Sequence, residues 1–182
     1  MNIEKFLRAA EVQRWHTVHA TKTQTVAEHQ WNVWVIARAI YDMLFPIPHN
    51  SDESALVSTL ALTHDVHEIV VGDIPSTGKD LMSITEENAL EEYEHRVMRT
   101  QFGINPAANR GTLAEAIVKL ADRVEAAHFA RKYVTTPGVR GSTTLAVTQQ
   151  FAVCVDMAPH LSWGKIASDV INLLLPERED EE

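Results

Sequence analysis

The chain has a single cysteine, few residues that break helices, no strongly basic segment and no long apolar run. Because Cys154 has no partner within the chain, an internal disulfide is excluded and a reducing compartment is the expected setting. A transmembrane segment is not expected, since no apolar run reaches membrane-spanning length. The charged residues near the N-terminus likewise argue against a signal peptide.

Basic residues are too few for binding to duplex nucleic acid. The sequence holds 16 Lys and Arg against 25 Asp and Glu, a formal net charge of −9, and no basic stripe. Duplex DNA and RNA are bound largely by neutralising phosphates, so neither is an expected partner. A small anion held by a few local cations remains compatible with this composition.

Seven glycines, seven prolines and a near absence of strand-like alternation favour an all-α protein. The 182 residues, of which 45% are hydrophobic, suffice for one core. We therefore expect one domain over residues 1–176, followed by an acidic, disordered tail at 177–182. Helices are predicted at 2–10, 26–44, 51–65, 85–102 (capped by Thr85), 112–133, 143–157 and 160–175.

The segment from His64 to Asp73 packs five ionisable groups into ten residues, directly after an apolar helical run. His64 and Asp65 are expected on the last turn of a mostly buried helix, where burial is costly unless a positive charge lies beside them. A divalent metal ion would supply that charge. Glu68 is expected on the same face, beside a bound water, whereas His67 should point away from it.

Two further polar residues interrupt apolar helical faces. His29 falls on the inward face of the helix that follows Thr25, and Asp122 lies one turn after Lys119. Asp122 is either half of a local ion pair with Lys119 or a further metal ligand. Near the N-terminus, Arg14-Trp15 precedes a predicted loop at residues 21–25. This pair is either an Arg stacked on a half-buried Trp at the surface, or an Arg that binds a phosphate while the indole offers a flat apolar face to a base or sugar.

Taken together, His29, His64-Asp65 and Asp122 resemble the metal-binding signature of the HD-domain phosphohydrolase superfamily. The surrounding motifs are similar to those of bacterial 5′-deoxynucleotidases and the related phage dATP triphosphohydrolases. These motifs are Arg14-Trp15, Ala27-Glu28-His29, His64-Asp65-x-x-Glu68, Gly72-Asp73-Ile74-Pro75, Lys79 and Lys119-x-x-Asp122. The resemblance covers about residues 5–130.

The resemblance implies a compact multi-helix HD-domain bundle and a role for each matched residue. His29, His64, Asp65 and Asp122 would bind a divalent transition metal such as Co, Mn or Zn, with room for a second, magnesium ion. Glu68 would orient or deprotonate the attacking water, and Asp73 would contact the deoxyribose 3′-hydroxyl. Phosphate contacts would come from Arg14, Lys79 and Lys119, and Trp15 would lie beside the sugar or base.

The resemblance also implies partners and a location. The expected ligand is a small deoxynucleotide, and the expected compartment is the cytoplasm of a bacterium or a phage-infected host. A homo-oligomer, either a dimer or a hexamer, is expected as well. Trp31 and Trp34 would support it, although core packing also accounts for them.

The predicted activity is metal-dependent removal of the 5′-phosphate from a 2′-deoxynucleotide, with dNTP and dNMP both open as substrates. A phosphodiesterase acting on cyclic or alarmone nucleotides is one alternative. That reading needs an acid directly after Glu68, where this chain has Ile69. A non-catalytic helical metal-binding module is another alternative, but it gives Glu68 no role.

Overall fold

The computed structural model describes residues 3–46, 51–75, 79 and 81–174. Its helices are α1 (Ile3–Leu7), α2 (Val26–Leu44), α3 (Ser51–Thr63), α4 (Glu68–Val71), α5 (Ile84–Val97), α6 (Leu113–Tyr133), α7 (Val139–Met157) and α8 (Gly164–Leu174). Short 3-10 turns follow at Arg8–Ala10 and Pro106–Asn109, and a π-helical turn spans Met98–Phe102. Strands β1 (Gln13–Arg14) and β2 (Gln24–Thr25) form the one sheet in the described ranges. The all-α prediction is confirmed.

The two helices that carry most of the core begin where their capping residues predict. The hydroxyl of Thr25 accepts a hydrogen bond from the Glu28 backbone N–H at 3.2 Å, which fixes the start of α2. The hydroxyl of Thr112 does the same for the Glu115 N–H at the start of α6. Both predicted starts are therefore confirmed.

Two other helix starts differ from the prediction. Helix α5 begins at Ile84, because Ser83 rather than Thr85 forms the cap and exchanges hydrogen bonds with Glu86. Helix α7 begins at Val139, four residues before the predicted start. Gly138 adopts a left-handed φ of +84°, which reverses the chain sharply enough for the helix to begin at once.

The core lies where α2, α3 and α6 meet, with α7 packed along the other side of α6. On α2, His29 shares its buried stripe with Val33, Ala37 and Ile40, and its side chain is 0% exposed. The prediction that His29 points inward is confirmed. The packing of α2 against α6 also places His29 beside the polar residues of α6.

Helix α3 is shorter and less buried than predicted. It ends at Thr63, and residues 64–67 form a turn that leads into the separate helix α4. Only Val57 and Ala61 of α3 are buried, whereas Leu62 is 42% exposed. His64 and Asp65 therefore lie in the turn after α3, and Glu68 opens α4 rather than continuing the same helix.

The loop between β1 and β2 is tied to the end of α6. The backbone N–H of Thr21 donates to the Tyr133 carbonyl at 2.8 Å, and the Thr135 N–H donates to the His19 carbonyl at 2.9 Å. Trp15, in the same loop, has a φ of +62°, which is unusual for a residue other than glycine.

Two further sequence predictions concern membrane-spanning segments and the C-terminal tail. Within the described ranges, no helix is both long and apolar enough to cross a membrane. The predicted acidic tail at 177–182 lies outside the described residues.

Candidate metal centre

The two predicted histidine ligands meet with their Nε2 atoms 3.3 Å apart. In each ring the other nitrogen already has a partner. His29 Nδ1–H donates to the Glu125 carboxylate at 2.7 Å, and His64 Nδ1–H donates to the Ala61 carbonyl at 2.8 Å. Because a neutral imidazole carries one N–H, both Nε2 atoms are left with lone pairs directed into the same space.

Two carboxylates complete this cluster. Asp65 Oδ2 lies 3.4 Å from His29 Nε2 and 3.3 Å from His64 Nε2. Asp122 Oδ1 lies 3.2 Å from His29 Nε2. One ligand atom from each of His29, His64 and Asp65 lies within 4.8 Å of the others. The four residues that the sequence predicts as ligands therefore come together from α2, the turn after α3, and α6.

The electrostatics of the cluster favour a positive charge at its centre. Burial and the Arg14 charge oppose protonation of His29, yet hydrogen bonds to Asp122, Asp65 and Glu125 raise the pKa of His29 well above its ordinary value. Burial opposes ionisation of Asp122 too, but its hydrogen bond to His29 lowers the pKa of Asp122 to about 2.

This donor set fits a divalent transition metal. Two imidazoles and two carboxylates suit Mn, Co, Fe, Ni or Zn better than Ca. When bound, such an ion acidifies a water molecule and neutralises charge on a phosphoryl oxygen. The predicted cofactor class agrees with the residues that the fold assembles.

Arg14 and Glu68 lie at the edge of the cluster. Arg14 Nη1 is 2.5 Å from Asp65 Oδ2 and 3.3 Å from Glu68 Oε2. Burial alone would lower the pKa of Arg14, but the carboxylates of Asp65 and Glu68 outweigh it and raise that pKa. Burial and the neighbouring Asp65 charge raise the pKa of Glu68 to about 9. Glu68 can therefore hold a proton near neutral pH, as general acid–base chemistry requires.

The cluster opens into a cavity of about 380 Å³. Its walls hold seven of the ten residues that the sequence predicts for the site: Arg14, Trp15, Asp65, Glu68, Asp73, Lys79 and Asp122. Lys79 Nζ also donates to Glu94 at 3.2 Å, and Asp73 Oδ2 lies 3.8 Å from His16 Nδ1. Residues from the first turns of α7 and from α6 also line the cavity.

Lys119 is not brought into this cavity. Its side chain is 60% exposed, and its Nζ pairs with Glu115 at 2.9 Å, one turn earlier on α6. Asp122 is instead held inward by His29, so the alternative of a Lys119–Asp122 ion pair is also not observed.

His67 does not point away from the cluster as predicted. It is only 8% exposed, its Nε2 lies 3.5 Å from Glu94, and a ring nitrogen lies within 4.8 Å of carboxylate oxygens of Asp65 and Glu68. The turn at 64–67 bends the chain, so helical spacing does not describe its side chains.

Sequence reasoning missed three residues of the site. Glu125 and Gln24 are buried behind His29, and Arg123 lines the cavity. Glu125 could have been found, because it follows Asp122 by three residues and so shares its helical face. Neither Gln24 nor Arg123 carries a local signal in the sequence.

The comparisons with known proteins agree with this geometry. Residues 4–132 match the family described as 5′-deoxynucleotidase YfbR-like. The chain belongs to this family. The sequence prediction of an HD-domain deoxynucleotide phosphohydrolase is thereby confirmed, and the YfbR-like protein is an enzyme of that class.

Phage enzymes are among the relatives of this YfbR-like chain. The dATP triphosphohydrolase of Acinetobacter phage SH-Ab 15497 is 28% identical, covering 98% of this chain and 94% of the phage protein. The dATP triphosphohydrolase of Salmonella phage PMBT28 is 30% identical, covering 71% of this chain and 66% of its own length.

A solved structure has a similar fold. The Cyanophage S-2L HD phosphohydrolase, bound to dA and one catalytic Zn²⁺ ion, has a TM-score of 0.67 at 22% identity. The match covers 94% of this chain and 98% of the cyanophage chain. At this identity the likeness supports the fold assignment, an HD-domain bundle.

Proposed function

We propose that this protein hydrolyses a 2′-deoxynucleoside triphosphate of the dATP type to the deoxynucleoside, using a divalent transition metal. The convergence of His29, His64, Asp65 and Asp122 beside Arg14 and Glu68 supports this most directly. The similarity to a phage dATP triphosphohydrolase over 94% of that protein favours the triphosphate over the monophosphate.

In this proposal Glu68 takes the proton of the attacking water. The water oxygen bonds to the α-phosphorus, and the bond from that phosphorus to the 5′-oxygen breaks. The 5′-oxygen takes up the proton that Glu68 received and leaves as the hydroxyl of the deoxynucleoside, and the three phosphates leave together as triphosphate. Glu68 suits the role because its carboxylate faces Asp65 and Arg14 in the wall of the cavity. Burial and the Asp65 charge hold the pKa of Glu68 at about 9 in the metal-free protein. The base form would therefore require the bound cation, whose positive charge favours the ionised carboxylate.

Three cations line the cavity and are assigned to the phosphates. Arg14 is held beside the cluster and would stabilise charge on the reacting phosphoryl group. Lys79 and Arg123 line the same cavity, and they are assigned to the outer phosphates of a triphosphate. Lys119 stays a prediction, since it would have to leave Glu115 to meet a phosphate.

The nucleoside is assigned to the remaining walls of the cavity. Asp73, which accepts hydrogen bonds when ionised, would bind the deoxyribose 3′-hydroxyl. The indole of Trp15 would lie against the sugar or base, since it lines the cavity and is fixed by stacking on Phe129.

The substrate is tested by incubating the protein and Mn²⁺, Co²⁺ or Zn²⁺ with each dNMP and dNTP. The proposal expects deoxynucleoside and triphosphate from dATP, with the ribonucleotide ATP as control. Release of inorganic phosphate from dAMP alone would favour the monophosphate reading. Inactivity on every deoxynucleotide would refute both.

We also infer a homo-oligomer, either a dimer or a hexamer. Trp31 is 57% exposed and Val35, one turn later on α2, is 45% exposed, which leaves an apolar strip that a second copy can cover. Light scattering after gel filtration tests this against the 20.4 kDa monomer, with Trp31→Glu as the disrupting variant. A monomeric wild-type protein would contradict the inference.

Location in the cytoplasm stays a prediction.

A further inference from the structure

A chain of hydrogen bonds runs from the wall of the cavity to the metal centre. The indole N–H of Trp15 donates to Gln24 Oε1 at 3.0 Å, and Gln24 Nε2 donates to Glu125 Oε1 at 2.6 Å. The other oxygen of Glu125 accepts the His29 Nδ1–H at 2.7 Å. Four side chains thus join the residue assigned to the nucleoside with a residue assigned to the metal.

The inner members of this chain have no access to water. Gln24 is 1% exposed, Glu125 is 3% exposed and His29 is 0% exposed. A buried polar group that loses its partner cannot recover the hydrogen bond from solvent, so these partners hold one another in place. Asn32 Nδ2, which also donates to Glu125 Oε1 at 3.0 Å, satisfies the carboxylate further.

The amide of Gln24 makes the chain directional. Its oxygen faces a donor, the Trp15 N–H, and its nitrogen faces an acceptor, the Glu125 carboxylate. Rotating the amide by half a turn would place oxygen against oxygen and N–H against N–H. Only one orientation of the amide therefore satisfies both neighbours. When the indole moves, Gln24 must move with it to keep its hydrogen bonds, and the position of Glu125 changes in turn.

The outer member of the chain is held in an unusual conformation. Trp15 has a φ of +62°, and its indole stacks on Phe129 with the ring centroids 5.3 Å apart and the planes 15° apart. A non-glycine residue keeps such a backbone only when its surroundings fix it. The stack and the bond to Gln24 are the contacts that do so, and a ligand in the cavity meets the same indole.

We propose that Gln24 couples nucleoside binding at Trp15 to cation binding at His29, with Glu125 as the positioning residue of that histidine. The proposal rests on the proposed function, because it takes the nucleoside to bind against Trp15. A hydrogen-bonded carboxylate fixes the orientation of a metal-ligating histidine. Coupling between two sites is reciprocal, so a bound nucleoside must strengthen cation binding as much as the cation strengthens nucleoside binding.

The test measures Co²⁺ affinity of the metal-free full-length protein by the visible absorption of the ion, with and without deoxyadenosine. In wild type we expect deoxyadenosine to tighten Co²⁺ binding by about 5–150-fold, the usual range of coupling between sites. In Gln24→Met, which keeps the volume and removes both hydrogen bonds, Co²⁺ binding should weaken by about 10–100-fold. Deoxyadenosine should then leave Co²⁺ affinity unchanged.

A matched control comes from α2, the helix that carries His29. Gln30 is also buried, follows His29 directly and has an Nε2 without a hydrogen-bond partner among the described residues. Gln30→Met should therefore keep both the Co²⁺ affinity and the effect of deoxyadenosine. Equal losses in Gln30→Met and Gln24→Met would mean a general effect of packing and would overturn the proposal.

A second variant covers the case in which Gln24→Met does not fold. Trp15→Phe keeps a ring against Phe129 and removes only the indole N–H, so it should lose the coupling and keep most of the Co²⁺ affinity. Wild-type coupling retained in Trp15→Phe, or wild-type behaviour in Gln24→Met, would overturn the proposal. Failure of deoxyadenosine to bind wild type at all would refute the proposed function instead. The Co²⁺ affinity of Gln24→Met would then decide whether Gln24 positions His29.

Discussion

Replacing Glu68 by Gln separates proton transfer from metal binding. The two side chains have nearly the same size, and the amide oxygen of Gln can still accept from Arg14, which lies 3.3 Å from the carboxylate. The variant removes only the ability to take a proton. General-base catalysis typically contributes about 10²–10⁴-fold, so we expect kcat for dATP to fall by that factor.

The surroundings of Glu68 set the expected pattern of the remaining constants. Glu68 is not among the four residues assigned to the cation, and Gln replaces a carboxyl whose pKa of about 9 keeps it protonated near neutral pH in the metal-free protein. Co²⁺ affinity should therefore stay within about 10-fold of wild type, a smaller change than losing a ligand. KM should change less than kcat, because the phosphate contacts of Arg14 are kept.

The assay is deoxyadenosine release from dATP under saturating Co²⁺, with Co²⁺ affinity measured separately by absorption. The control is Glu92→Gln, which removes a carboxylate from an exposed position on α5 outside the cavity and should behave as wild type. A Glu68→Gln enzyme with wild-type kcat would refute the role of Glu68. A variant that loses activity only because it no longer binds Co²⁺ would refute the separation of roles.

Three further predictions follow from the same site. Asp122→Asn should weaken Co²⁺ binding by more than the ~10–100-fold typical of a residue behind a ligand, as measured by absorption; equal affinity would remove Asp122 from the ligand set. Arg123→Ala should raise KM for dATP by more than KM for dAMP in steady-state kinetics, because an outer phosphate is its assigned partner; equal effects would contradict that assignment. In the metal-free folded protein the pKa of Glu68 is about 9, above its ordinary value of 4.5. The contribution of Glu68 to the free energy of unfolding is therefore full below pH 4.5 and is lost as the pH rises towards 9. The Tm of Glu68→Gln minus that of wild type should therefore grow between pH 5 and pH 9 in EDTA, and a constant difference would contradict the raised pKa.

Local sequence patterns predicted the features that local forces decide. The helical spacing after Thr25 predicted the start of α2 and the inward direction of His29. The C-terminal end of α3 and the start of α7 were not predicted correctly. The end of α3 depends on the turn at 64–67. The start of α7 depends on the left-handed conformation of Gly138, which is compatible with many flanking sequences.

Contacts between distant segments explain the remaining differences at the site. Gln24 and Glu125 are 101 residues apart in the chain and meet only in the folded structure. Gln24 leaves no periodic or spacing pattern that a single sequence can show, and the spacing of Glu125 after Asp122 does not reveal Gln24 as its partner. Lys119 illustrates the opposite case, because the spacing that placed it near Asp122 also placed it near Glu115, and Glu115 is the residue it pairs with.

The wide separation of the metal-centre residues has a consequence for folding. His29 on α2 and Asp122 on α6 come together only when these two helices pack, so a partly folded chain has no complete set of ligands. A cation that binds only the native state stabilises it by RT ln(1 + [L]/Kd), about 1.4 kcal/mol for each tenfold excess over Kd. A bound ion would thus hold together segments that are far apart in the chain, and the metal supply in the cell would affect how long each molecule resists proteolysis.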